Sequence, residues 1–216
     1  MLKSASRPTI RAAPAAVSPR RDFAAERPGV DLRLDSTPRV QVMIGARAMP
    51  AIGEETVALS RDLGVESGGW VFGTGAFRWD KRIEVSFATG PGTKAKHAAD
   101  WLEIDYHVLL QRQRELDRAG ADVCYLGEWH SHPDGGVHRP STGDLLAWKR
   151  RWLLVDQEPR LGRKRRYMPR YVGLLVGPGD GLCSWSTERL QLTAWIIQED
   201  GRGRIVCEPA AVEKKP

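Results

Sequence analysis

Cysteine is scarce in this chain of 216 residues: there are three, Cys124, Cys183 and Cys207. The odd count and the lack of C-x-x-C spacing argue against a disulfide framework and against a cysteine-ligated zinc site. Each falls in a predicted strand, where a free cysteine acts as a small hydrophobe, and a reducing cytoplasm fits. No apolar run approaches the roughly 18 residues of a membrane span, and no signal peptide is evident. Acids are absent from the first 21 residues, which are rich in Arg, Ser and Ala. Pro8, Pro14 and Pro19 would break the amphipathic helix of a transit peptide, so residues 1–37 are expected to be a disordered tail. No internal repeat is visible. The length suits one domain with a real core, expected over residues 38–210 and followed by a C-terminal tail at 211–216.

The net charge of +6 is uneven. Between Arg150 and Arg170 lie eight basic residues against Asp156 and Glu158, a local excess equal to that of the whole chain. The default for such a run is a solvated loop. Apart from Tyr167 it has no aromatic interleaving, and no known motif supports a nucleic-acid contact there.

The segment richest in chemistry is Gly127–Asp144, GEWHSHPDGGVHRPSTGD. It contains His130-x-His132-Pro133, seven residues, then Ser141-x-x-Asp144. The run Asp122–Trp129 reads as a buried strand. Alternate residues of a strand face the same way, so His130 and His132 aim at one point. Ser141–Asp144 opens a helix whose apolar face is Leu145, Leu146, Trp148 and Trp152, and that turn can bring Asp144 over the histidines. Two imidazoles and a carboxylate leave a fourth position open for water, the layout of a catalytic zinc. Ser141 and Asp144 also form a capping box, a role compatible with the first. Other arrangements fit less well. Asp134 extends the run to H-x-H-x-D, as in metallo-β-lactamase-like hydrolases, but Gly135 stands where a further His is wanted. A cupin would need a Glu shortly after the second His. His138 reads as a loop residue, and His97 and His107 as structural or exposed. Ser131 faces away from the histidines. Trp129 adjoins the first ligand and either lines a substrate cleft or is buried.

Elsewhere, strands are predicted at Arg39–Ile44, Gly69–Gly73, Arg82–Phe87, Tyr171–Val176, Gly181–Ser186, Leu190–Ile197 and Arg204–Cys207. Helices are predicted at Glu54–Leu63, ending at Gly64, and at Ala98–Ala119, ending at Gly120. The second buries Trp101, Leu102, Ile104, Val108, Leu109 and Leu116. Strands and helices alternate first, then strands run on, which gives an α/β chain with a mixed sheet flanked by helices.

At the His, Ser and Asp positions the chain resembles the JAMM (MPN+) zinc metalloprotease family, whose motif adds an upstream Glu before an apolar strand ending in Gly. Glu66-Ser67-Gly68-Gly69-Trp70-Val71-Phe72-Gly73 matches that context. Thr89–Gln111 and Tyr125–Pro133 are similar to the prokaryotic JAB branch, found in bacterial ubiquitin-like conjugation operons of antiphage systems such as CBASS and Bil. The resemblance covers roughly residues 39–152. It implies a single-domain curved mixed sheet with a long helix on one side and one Zn2+ with its bound water at the sheet edge. It implies His130, His132 and Asp144 as metal ligands, Glu66 as general base and acid, and Ser141 as oxyanion donor. The implied activity is cleavage after the C-terminus of a ubiquitin-like protein, from conjugates or precursors, with E1- and E2-like proteins of the same operon as further partners. The basic run Arg163, Lys164, Arg165 and Arg166 falls where the family can carry an insertion that contacts the ubiquitin-like substrate. Processing of a sulfur-carrier protein or of small peptides, and a non-catalytic MPN scaffold, are the alternatives.

Overall fold

A computed structural model describes residues 29–34, 37–76, 80–134, 139–156, 170–179 and 189–215. Its strands are β1 (Val30–Leu32), β2 (Gln41–Ile44), β3 (Gly68–Thr74), β4 (Arg82–Ala88), β5 (Lys96–Ala98), β6 (Trp101–Glu103), β7 (Cys124–Ser131), β8 (Tyr171–Gly177), β9 (Gln191–Glu199) and β10 (Ile205–Lys214). Its helices are α1 (Met49–Glu55), which runs on as a π-helical turn over Thr56–Arg61, α2 (Tyr106–Arg118) and α3 (Thr142–Asp156).

Eight strands form one mixed sheet in the order β1-β10-β2-β4-β3-β7-β8-β9, and β10 also pairs with β9. That extra pairing closes the strip from β10 round to β9 on itself, so the curved sheet of the sequence expectation is a closed one. β7 runs antiparallel to β3 and parallel to β8. Both β7 (CYLGEWHS) and β8 (YVGLLVG) are buried along their whole length, which explains their near-continuous apolar character. One sheet face packs Val42, Ile44, Val71, Leu126, Trp129 and Leu174 with Ile52 of α1. The other packs Trp70, Phe72, Tyr125, Tyr171 and Leu175 beneath Leu109, Leu110 and Leu116 of α2 and Leu145 and Trp148 of α3.

Three expectations need correction. The N-terminal tail does not extend to residue 37, because Val30–Leu32 pairs in parallel with Ile205–Cys207. Val30 and Leu32 alternate with Asp31 and tuck into the second core, and Arg33 then bridges Asp200 at 3.2 Å and Glu208 at 2.8 Å. Nor does the expected C-terminal tail begin at 211, since Ala211–Lys214 pairs with Gln41–Ile44. The long helix is shorter than Ala98–Ala119. Asp105, in extended conformation, caps it by accepting the His107 N–H at 3.0 Å, and the preceding residues form the β5–β6 hairpin. Trp101 therefore sits on a hairpin and is 46% exposed rather than buried.

The helix predicted at Glu54–Leu63 begins earlier, at Met49, with Pro50 in its first turn, and the chain leaves it at Gly64 with φ +65°. The strand predicted at Gly181–Ser186 lies outside the described residues, as does Cys183; Cys124 and Cys207 are buried thiols. Among the described residues no helix is long and apolar enough to cross a membrane.

Candidate metal centre

His130 and His132 stand at the end of β7, held in line by the neighbouring strand: the His132 N–H donates to the Val176 carbonyl at 2.8 Å. Their side chains share a face, and their Nε2 atoms are 3.1 Å apart. At the mouth of α3 the Asp144 N–H donates to Ser141 Oγ at 3.1 Å, and the Ser141 N–H donates to Asp144 Oδ2 at 2.7 Å. This reciprocal capping box fixes the carboxylate of Asp144. Its Oδ1 lies 3.0 Å from His130 Nε2 and its Oδ2 3.5 Å from His132 Nε2. The same turn thus caps α3 and sets the Asp144 carboxylate beside the two imidazoles.

The three separations are the test of fit. Ligand bonds of about 2.0–2.1 Å in a tetrahedral site put neighbouring donor atoms about 3.3–3.4 Å apart. The two imidazole nitrogens, 3.1 Å apart, and His130 Nε2 with Asp144 Oδ1, 3.0 Å apart, come close to that spacing, while His132 Nε2 faces the other carboxylate oxygen, Oδ2, at 3.5 Å. The donor set of two imidazoles and one carboxylate suits a divalent cation with an open position. His130, His132 and Asp144 are the group among the described residues able to hold a metal ion. Burial pushes the Asp144 carboxyl up, but the hydrogen bond and charge of His130, the hydrogen bond of His132 and the Ser141 N–H outweigh it and hold the group far below the usual carboxylate range. It is therefore an anion at any working pH, as a ligand must be.

Trp148 of α3 packs on His130, with ring centroids 5.8 Å apart, and it can reach the sheet only because residue 173 is Gly. A Cβ there would lie 2.5 Å from the Trp148 ring.

Glu66 arrives from the opposite strand. Gly68 pairs with His130, and the Ser131 N–H donates to the Ser67 carbonyl at 2.7 Å. Continuing that register sets Glu66 across from His132. Burial raises the Glu66 carboxyl from 4.5 to about 7; the positive fields of His130 and His132 oppose this, and the charges of Asp144 and Asp100 add to it. An acid poised near neutrality beside a cation site is suited to taking up and releasing a proton.

Two residues outside the expected site hold Glu66 in place. His97 on β5 donates from Nδ1 to the Glu66 carbonyl at 2.8 Å, and the Glu66 N–H donates to Ala98 O at 2.8 Å. Nothing in the spacing of His97 signals this, because the contact depends on the β5–β6 hairpin. Ser131 does face away from the ligands, but it is fully buried and accepts the Ser67 N–H at 2.8 Å. It also touches the hydroxyl of Ser60. A hydroxyl between two ligand histidines on a buried strand must find a partner, and that was the available signal.

Trp129 does not line a substrate cleft. It is fully buried, and its indole N–H donates to the Thr89 carbonyl at 2.9 Å. Strand alternation turns it to the face opposite His130, and Gly69 makes room, since a Cβ there would meet Thr89 O at 1.8 Å. Arg163, Lys164, Arg165, Arg166 and His138 lie outside the described residues. His107 is exposed on α2.

Among curated proteins none matches the chain. A family model, prokaryotic homologs of the JAB domain, matches residues 50–191. The match takes in Glu66, both histidines, Ser141 and Asp144, and it spans well over half of the 216 residues. With the ligand triangle, the capping turn and the closed mixed sheet in agreement, the chain belongs to the prokaryotic JAB-domain family.

Proposed function

We propose that this protein is a zinc-dependent isopeptidase or peptidase that cuts after the C-terminus of a bacterial ubiquitin-like protein, releasing it from conjugates or maturing its precursor, within an antiphage conjugation system. The observation that carries this reading is the meeting of three ligand-type donors with a half-buried glutamate whose carboxyl sits at about 7. His130, His132 and Asp144 would hold the ion. When bound, it supplies Lewis-acid polarisation of a carbonyl and lowers the pKa of a water to about 7.

The chain's own residues do the rest. Glu66 takes the proton of the attacking water as the new C–O bond forms. It returns that proton to the leaving amine, a lysine ε-amine for an isopeptide, as the C–N bond breaks. The Ser141 hydroxyl accepts from the Asp144 N–H, so its own proton stays available to donate to the developing oxyanion. His97 and Ser131 hold the Glu66 segment against the ligand strand. The basic run Arg163–Arg166 is assigned to an acidic patch of the ubiquitin-like partner, with E1- and E2-like proteins of the same system as further partners.

The test is an intact-mass cleavage assay on a ubiquitin-like protein encoded beside this gene, fused at its C-terminus to a reporter. Cleavage directly after the ubiquitin-like C-terminus, abolished by chelator and by Glu66→Gln, is expected. An intact fusion in the presence of zinc-loaded, folded protein would reject this substrate class.

A further inference from the structure

We infer that Glu128 and Arg151 are positioning residues for the metal centre, their buried ion pair setting where α3 carries Asp144 against His130 and His132. This rests on the metal-ion reading of that centre. Glu128 lies two residues before His130 on β7, and so on the same face. Arg151 lies seven residues after Asp144 on α3, about two helical turns, and so on the same side. The two elements that meet at the ligands therefore meet a second time, through Arg151 Nη1 and Glu128 Oε2.

The second meeting is enclosed. Glu128 is 2% exposed, and its Oε2 also accepts the Tyr171 hydroxyl of β8 at 2.7 Å. Tyr125 of β7 donates in turn to Tyr171 at 3.4 Å. The Arg151 guanidinium lies 5.7 Å above the Trp70 ring of β3. One guanidinium–carboxylate contact thus registers α3 against three neighbouring strands.

A buried ion pair adds little net stability over apolar packing of the same shape, but it tolerates little displacement. A metal site needs that intolerance. Ligand distances must hold to about 0.2 Å, whereas a helix slipped by one residue moves about 1.5 Å. The capping box fixes Asp144 within α3, but it does not fix α3 on the sheet. The ion pair supplies a polar tie, and Trp148 against Gly173 supplies the apolar one.

The test compares zinc affinity, by chelator competition, in the full chain and in three variants, with the visible absorption of the cobalt-loaded proteins as a second readout. Arg151→Met keeps the stem but strands the Glu128 charge. Glu128→Gln/Arg151→Met removes both charges, keeps a partner for Tyr171, and carries the test if the single variant does not fold. Arg151→Lys keeps the charge. Both variants carrying Arg151→Met should bind zinc about 10- to 100-fold more weakly than the parent, as for loss of a residue that orients ligands, and show an altered cobalt spectrum. Stripped of metal, the double variant should match the parent's urea midpoint, since bound zinc would itself raise the midpoint, and Arg151→Lys should regain most of the affinity. Parent-like zinc affinity and cobalt spectrum in the folded double variant would overturn the inference alone. A parent that binds no metal would overturn the proposed function and this inference with it.

Discussion

Replacing Glu66 by Gln should make the metal-free protein more stable at neutral pH while removing its activity. Burial raises the Glu66 carboxyl from 4.5 in the unfolded chain to about 7 in the fold. The folded state therefore binds this proton more tightly than the unfolded state. Below pH 4.5 the group is protonated in both states and contributes no penalty; between 4.5 and about 7 the unfolded state gives up its proton while the folded state keeps it, so stability falls across that interval and levels off above it. At 1.36 kcal/mol per pH unit the full difference would be about 3 kcal/mol. Glu66 is only half-buried, so solvent screening reduces the expected effect to about 1–2 kcal/mol. Urea unfolding of chelator-treated parent and Glu66→Gln at pH 5 and pH 8, followed by circular dichroism, isolates it as a difference of differences. Gln should stabilise the protein at pH 8 by that amount relative to its effect at pH 5. An equal effect of the substitution at the two pH values, or a greater loss at pH 8, would refute the burial argument.

Three further substitutions probe the elements around the centre. Ser131→Ala leaves the buried Ser67 N–H without its acceptor; it should cost about 1–3 kcal/mol in urea unfolding and lower kcat more than it raises KM, because the Glu66 segment loses its hold on β7. Gly173→Ala forces a Cβ to within 2.5 Å of the Trp148 ring, and overpacking of this kind should cost about 1–3 kcal/mol in the same assay, with weaker zinc binding because α3 is lifted. Ser141→Ala should retain zinc by metal analysis, lose about 1 kcal/mol of capping stability, and raise the barrier by about 2–4 kcal/mol in kcat/KM measurements on the ubiquitin-like fusion.

The meeting of His130, His132 and Asp144 was legible because it is local. Two histidines two apart at a strand end, and an Asp in the first turn of the next helix, follow from the period of a strand and the chemistry of a cap. Glu66 is 64 residues from His130; only a family resemblance suggested it, and only the antiparallel pairing of Gly68 with His130 brings it near. The same limit applies to the fold. Val30 meets Ile205, and Gln41 meets Ala211. Gln41 and Ile205 lie in segments whose own apolar character predicts a strand, but parallel pairing over so long a separation leaves no mark in Val30–Leu32 or Ala211–Lys214, so both termini read as tails. The β5–β6 hairpin was hidden for another reason. Trp101, Leu102 and Ile104 continue the apolar spacing of α2 back past its true start, and only the cap at Asp105 marks the boundary. His97 and Arg151 gain their contacts from that hairpin and from the docking of α3, neither of which a period or a motif encodes.

The measurement closest to the centre of this reading is a calorimetric zinc titration of the chelator-stripped parent and of Asp144→Ala, with circular dichroism to confirm that both are folded. One ion per chain in the parent, and loss of that binding in the folded variant, is the expected result. Equal zinc binding by the two proteins, or none by the parent, would contradict a centre built from His130, His132 and Asp144.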